Sequence, residues 1–120
     1  MIRFIKAPVK TIGMGLVASA AAIILLSAKK TNRFALPNSH YLIHQPLSEM
    51  KGVATDLEIH AKEIERIKAK INLLISNETG KTMEQIFQDT ERDYWLNSEE
   101  ACNYGLVSKI ITTRKELIAK

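Results

Sequence analysis

The chain has 120 residues, 46% of them apolar and 25% charged, which excludes disordered, collagen-like and low-complexity classes and leaves room for one compact domain. A single cysteine, Cys102, excludes a disulfide-stapled scaffold, and the histidines at 40, 44 and 60 have no second thiol with which to build a zinc site. The net charge of +4 is uneven, with six Lys/Arg and no acid in residues 1–48, but the cations are separated by apolar sequence and joined only by Phe4 and Phe34, so a nucleic-acid partner is not expected.

Ile2–Lys6 is too short to classify, and Pro8 prevents a helix from running through it. Thr11–Ala28 carries no charge over 18 residues and follows Arg3, Lys6 and Lys10. Composition alone fits two readings equally: a signal peptide or short signal anchor, or a buried strand, a glycine turn and a buried helix. On the second reading Val9–Met14 is a strand with Gly13 and Gly15 at its end. Ala18–Ala28 is then a helix starting close to Ser19, with Lys29 and Lys30 complementing the dipole at its C-terminus. Arg33–Leu36 and His40–His44 read as short strands, stopped by Pro37-Asn38 and Pro46, and Leu47–Gly52 as a loop.

Thr55–Thr79 is the strongest helical signal. Leu57, Ile64 and Ile71 recur at a spacing of seven, and His60, Ile67 and Leu74 form a second row, which together make an apolar seam flanked by charges. Gly80 ends this helix, and Thr82 caps a further helix to about Gln88. Tyr94–Leu96 is a strand. Ser98 caps a brief helix with Glu99 and Glu100 in its first turn, and Gly105 ends it. Leu106–Ile111 is a last strand, and the tail to Lys120 is polar. Strands alternating with helices predict an α/β fold.

Three residues are candidates for chemistry. Ser19 lies where a glycine-containing turn leaves a strand for a helix, a placement that exposes a hydroxyl beside free helix N–H groups. Most such serines only cap helices. His44 ends an apolar strand, where a structural histidine is the commoner case. Asp93 lies in a charge-rich junction, where a solvated carboxylate or a partner of Arg92 is an ordinary reading. Together they supply a nucleophile, a base and an orienting carboxylate, although spacing alone does not bring them together.

The sequence resembles the proteolytic subunit of the Clp protease, the ClpP family of serine peptidases. The likeness is carried by Gly15–Ser19, Arg33–Asn38, Ile43-His-Gln-Pro-Leu47, Ala54–His60, Asp89-Thr-Glu-Arg-Asp93 and Glu99–Leu106, in the family's order and spacing from the N-terminus to about Ile111. The resemblance implies one domain over residues 1–120 with an α/β, ClpP/crotonase-like layered fold, N-terminally truncated. It makes the apolar segment a strand and helix rather than a membrane span. It implies Ser19 as nucleophile, His44 as base, Asp93 as its partner and the backbone N–H of Ala20 in the oxyanion hole, with no metal or cofactor. Pro46 and Leu47 fall in the segment that binds substrate as an added strand. Residues 53–80 match the handle that interlocks two heptameric rings, with Leu57, Ile64 and Ile71 as its seam. Glu91 and Arg92 match residues that couple ring stacking to the active site. The implied partners are further copies or a paralogue in a mixed ring, an AAA+ unfoldase and unfolded polypeptides, with no nucleic acid and no membrane. The implied setting is ATP-dependent proteolysis in the cytoplasm.

Two departures accompany the resemblance. Ala20 and Ala21 stand where the family usually has methionine and glycine, and Met1 aligns inside a family helix. The chain matches a little more than the C-terminal half, without the strand that donates the second oxyanion N–H and walls the cleft. Little or no peptidase activity is therefore expected of the 120-residue chain alone. The alternative is a catalytically silent fragment or pseudosubunit acting in ring assembly.

Overall fold

The computed structural model describes residues 1–118. Two three-stranded sheets are built from alternate strands of the chain. β1 (Thr11–Gly13), β3 (Arg33–Ala35) and β6 (Lys109–Ile110) form one, all parallel, in the order β1-β3-β6. β2 (Leu16–Ala18), β4 (His40–Ile43) and β5 (Tyr94–Asn97) form the other, in the order β2-β4-β5, with β2 parallel and β5 antiparallel to β4. The helices are α1 (Ala20–Leu25), α2 (Ala54–Thr79), α3 (Met83–Thr90), α4 (Ser98–Tyr104) and α5 (Arg114–Ile118), with a 3₁₀ turn at Lys30–Asn32.

The expected single strand over Val9–Met14 is two strands in different sheets. Gly15 makes the break: its φ of 58° is a left-handed conformation that glycine adopts at little cost. The turn lets Leu16 start a new ladder opposite His40. The apolar stretch is thus divided among two strands and a six-residue helix. Among the described residues no helix is long and apolar enough to cross a membrane. α1 stops at Leu25, so Lys29 and Lys30 lie beyond its last turn and enter the 3₁₀ turn instead of complementing a dipole.

One cap also differs from expectation. Asn97, not Ser98, caps α4: its side chain accepts from the Glu100 N–H at 2.8 Å, and the Glu100 carboxylate accepts from the Asn97 N–H at 2.8 Å. Ser98 is the buried first residue of the helix. The polar tail forms α5 because the Glu116 carboxylate gathers the N–H groups of Thr112 and Thr113 at 2.9 and 3.1 Å. The last strand is only Lys109–Ile110, and Leu106 and Val107 before it are buried in the core. Thr82 caps α3 as expected, accepting from the Gln85 N–H at 3.2 Å, and the helix extends to Thr90.

The core joins Val17, Leu25 and Leu26 to Tyr41 and Ile43 of β4, with Ile75, Ile86, Leu96 and Tyr104 closing it from α2, α3, β5 and α4. Beneath it, the fully buried Arg33 donates to Glu78 at 2.7 Å, and Arg3 pairs with the same carboxylate. Burial lowers the Arg33 pKa, and Glu78 opposes the shift.

α2 accounts for the elongated shape of 56 × 31 × 25 Å, since its 26 residues span about 39 Å. Its buried residues, Lys68, Asn72, Ile75 and Thr79, all lie in its second half. Residues 54–67 project from the domain.

Candidate active site

The geometry begins with β4, the middle strand of its sheet. On one side, the Ser19 N–H continues the β2 ladder by donating to the Leu42 carbonyl at 3.0 Å. On the other, Ile43 faces Tyr94, so the antiparallel register sets the next residue, His44, across from Asp93. One strand end therefore draws together residues from positions 19, 44 and 93. His44 Nδ1 is 3.8 Å from Asp93 Oδ1, with the imidazole mostly buried (12% exposed) and the carboxylate open to solvent (63%).

Ser19 has φ 55° and ψ −116°. A non-glycine residue at positive φ is strained by about 1–2 kcal/mol. Its carbonyl accepts from the Ala22 N–H at 3.0 Å, but its side chain makes no capping bond, so the ordinary reading of this serine as a helix cap does not hold. The residue is exposed at the β2–α1 turn. Ala20 opens α1, where the first N–H groups have no intrahelical acceptor.

Ser19, Ala20, His44, Pro46, Leu47 and Ile71 line one cavity of about 490 Å³, together with Ile23, Ile24, Ile43, Gln45 and Ile75. His44 also lines a neighbouring cleft of about 500 Å³ with Gln45, Leu47, Glu91, Arg92, Asp93 and Trp95. The imidazole thus borders both the cavity that holds the serine and the cleft that holds the aspartate. The first cavity is largely aliphatic, with isoleucines from α1, β4 and α2.

Two residues given no role from sequence hold this arrangement. Gln45 donates its backbone N–H to the Thr90 carbonyl at 2.8 Å and its side-chain amide to the Glu91 carbonyl at 2.7 Å. It pins the segment after His44 to the end of α3. The signal was in the Ile-His-Gln-Pro run, where a polar residue sits between a strand end and a proline. Lys68 of α2, 8% exposed, reaches Glu91 Oε2 at 3.3 Å and lies over the Phe87 ring at 4.4 Å. A lysine inside a charged helix gave no sequence signal for this tie.

The expected oligomerisation seam is divided. Leu57 is 39% exposed and Ile64 is partly exposed on the projecting half of α2, whereas Ile71 packs against the chain's own core and lines the Ser19 cavity. Arg92 is exposed, without an ion-pair partner among the described residues.

A family model described as Clp protease matches residues 1–114. The chain belongs to the Clp protease family. ATP-dependent Clp protease proteolytic subunit 2 of Treponema denticola is 64% identical over 120 residues, covering all of this chain and 60% of that protein. The subunit 2 of Pseudomonas aeruginosa is 49% identical over 116 residues, 97% of this chain and 58% of its own length. The structure of a ClpP1 mutant from Listeria monocytogenes superposes with a TM-score of 0.89 at 50% identity, over 97% of this chain and 64% of that one. The α/β fold is thus the ClpP fold in truncated form. The chain spans about 60% of the length of these curated Clp relatives and corresponds to their C-terminal portion.

Proposed function

We propose that this chain is the C-terminal portion of a Clp-type serine endopeptidase subunit, with Ser19 as nucleophile, His44 as general base and Asp93 as its orienting carboxylate. The observation that carries the reading is Ser19 itself, held at φ 55° with a hydroxyl that caps nothing, in a residue that lines one cavity with His44. A strained serine with no structural use for its hydroxyl is best accounted for by chemistry.

In this reading His44 takes the Ser19 proton as Oγ attacks a peptide carbonyl, and returns it to the leaving amine. The Ala20 N–H faces the developing oxyanion. Asp93 holds the imidazole tautomer, which requires the 3.8 Å separation to close to about 2.6–3.2 Å when substrate is bound. The aliphatic cavity takes an apolar substrate side chain. The Gln45–Leu47 segment pairs with the substrate main chain, which reads little sequence and suits unfolded polypeptides. The projecting half of α2 joins copies, or a paralogue, into a chamber fed by an AAA+ unfoldase in the cytoplasm.

The silent-subunit reading is favoured by one observation: Asp93 is largely solvated and not yet hydrogen-bonded to His44. Fluorophosphonate labelling separates the two. Labelling of the 120-residue chain that disappears in Ser19→Ala supports the triad, and no labelling of a folded chain supports the silent subunit. Turnover of a fluorogenic peptide by the chain alone is expected to be low, since one missing oxyanion donor costs roughly 10²–10³ in rate.

A further inference from the structure

A cavity of about 580 Å³ opens at the C-terminal end of α1, between the segment before β1, the stretch that follows α1, and Glu78 of α2. Its walls are cross-braced. Arg3 donates from Nη2 to the Leu26 carbonyl at 2.9 Å and from Nε to the Ser27 carbonyl at 3.2 Å, and the Asn32 side-chain amide donates to the Val9 carbonyl at 3.2 Å. Four cations line the cavity, Arg3, Lys6, Lys29 and Lys30, against one carboxylate, Glu78. That carboxylate is doubly engaged: one oxygen pairs with Arg3 and the other with Arg33. Lys6, Lys29 and Lys30 form no ion pair among the described residues. Behind Glu78, Arg33 is fully buried, with Nε and Nη1 lacking an acceptor. Burial lowers its pKa, and Arg3 pushes the same way against the pull of Glu78. This corner of the molecule holds more positive charge than its own residues neutralise, and buried donors without acceptors call for an explanation.

We infer that this cavity is a binding site for a multivalent phosphate anion, a short oligophosphate held by Lys6, Lys29 and Lys30. The donors select the anion. Arginine is the side chain whose fork reads a carboxylate, and Arg3 is already bound to Glu78 and to two backbone carbonyls. The three cations left over are lysines, point charges that suit the several oxygens of a phosphate chain. Ile2, Ile5 and Val9 add an apolar wall, which concentrates the field of the lysines on the cavity. No aromatic ring lines it, so nothing there stacks a nucleobase. A bound anion offsets the repulsion between Arg3 and Arg33 and, by mass action, favours the folded chain. Ser19 lies at the opposite end of α1, so the inference does not depend on the triad.

The test is titration of the isotopically labelled chain with inorganic pyrophosphate, without divalent cations, read by amide NMR with thermal melts in parallel. An ionic strength of about 0.15 M screens contacts with scattered surface charges. Saturable shifts are expected at Val9, Ala28, Lys29, Lys30 and Asn32, with a raised melting temperature. The double variant Lys29→Gln, Lys30→Gln should bind roughly tenfold more weakly. Without ligand it should melt no lower than the wild type, since both side chains are exposed. The double variant Lys51→Gln, Lys70→Gln removes the same charge from exposed positions elsewhere and should bind as the wild type does. ADP should bind no more tightly than pyrophosphate. Shifts that do not saturate, undiminished binding by the Lys29/Lys30 variant, or equal weakening by both double variants overturns the inference. ADP binding roughly tenfold tighter than pyrophosphate would make this a nucleotide site and overturn the assignment to a phosphate chain. Fluorophosphonate labelling of Ser19 is read apart from this titration, so either reading can fail alone.

Discussion

His44 and Asp93 face each other at the ends of two antiparallel strands, Nδ1 to Oδ1 at 3.8 Å, and the strand register sets them there. The distance is one of ion-pair range, longer than a hydrogen bond. Asp93→Asn would keep the shape and lose the charge that holds the tautomer. Fluorophosphonate labelling of Ser19 should slow, by as much as about 10⁴-fold on the precedent of serine-protease triads. A labelling time course unchanged in Asp93→Asn would reduce Asp93 to a solvated loop residue.

The projecting half of α2 should carry assembly. Leu57 and Ile64 lie on that half, and none of its residues is buried in the chain's own core. Replacing both with Asp should leave the melting temperature nearly unchanged and lower the mass seen in sedimentation. Ile71→Asp should behave differently, because Ile71 packs on the core beside Ser19. It is expected to destabilise the fold, since a buried unpaired charge is costly. Equal sedimentation of the wild-type chain and the Leu57/Ile64 double variant would show that the seam joins nothing.

Gly13 touches the core more closely than any side chain could. A Cβ built there would overlap the Tyr41 hydroxyl and lie 2.7 Å from the ring carbon Cε1. Tyr41 is fully buried, with its hydroxyl 3.0 Å from Ser39 Oγ, so the ring has little room to move. Gly13→Ala is expected to destabilise by about 1–3 kcal/mol through overpacking. Tyr41→Phe should restore part of that loss in the double variant, because it removes the atom nearest the new methyl. Thermal melts of the two single variants and the double variant measure the coupling.

The C-terminal turn should be acid-sensitive. Glu116 accepts from the Thr112 and Thr113 backbones and pairs with Lys109 at 3.2 Å, and these contacts lower its pKa from 4.5 to about 2. The fold favours the ionised carboxylate, so its contribution is complete above about pH 4.5 and is lost as pH falls toward 2. Amide signals of Thr112, Thr113 and α5 should shift across that window while core signals stay in place. Glu116→Gln should abolish the titration. Retention of the α5 signals unchanged down to pH 2 would mean that the turn does not depend on this carboxylate.

Much of this protein was legible in its residues alone. The sevenfold spacing of Leu57, Ile64 and Ile71 marked α2, and Gly80 and Thr82 marked the junction with α3, because helix periodicity and end signals are local. Ser19, His44 and Asp93 stood out as residue types at element ends, and the six matching stretches tied them to a family whose model covers residues 1–114. Local chemistry misled where two residues competed for one task. Asn97 outcompeted Ser98 as a cap because Glu100 completes its box, and Gly15 started a second strand where an unbroken apolar run hid the change of sheet.

Tertiary structure decided the rest. Whether Ser19 caps a helix is decided by its backbone, which leaves the β2 ladder at the bond to Leu42 and turns at φ 55° into α1. Whether Ile71 belongs to an interface or to the core depends on where α2 leaves the domain, and a periodic seam looks the same in either case. The meeting of His44 with Asp93, and the division of the strands between two sheets, arise from strand order and register. Those are relations between distant segments. No run of neighbouring residues encodes them, because a strand's pairing partner is chosen by the whole core packing at once.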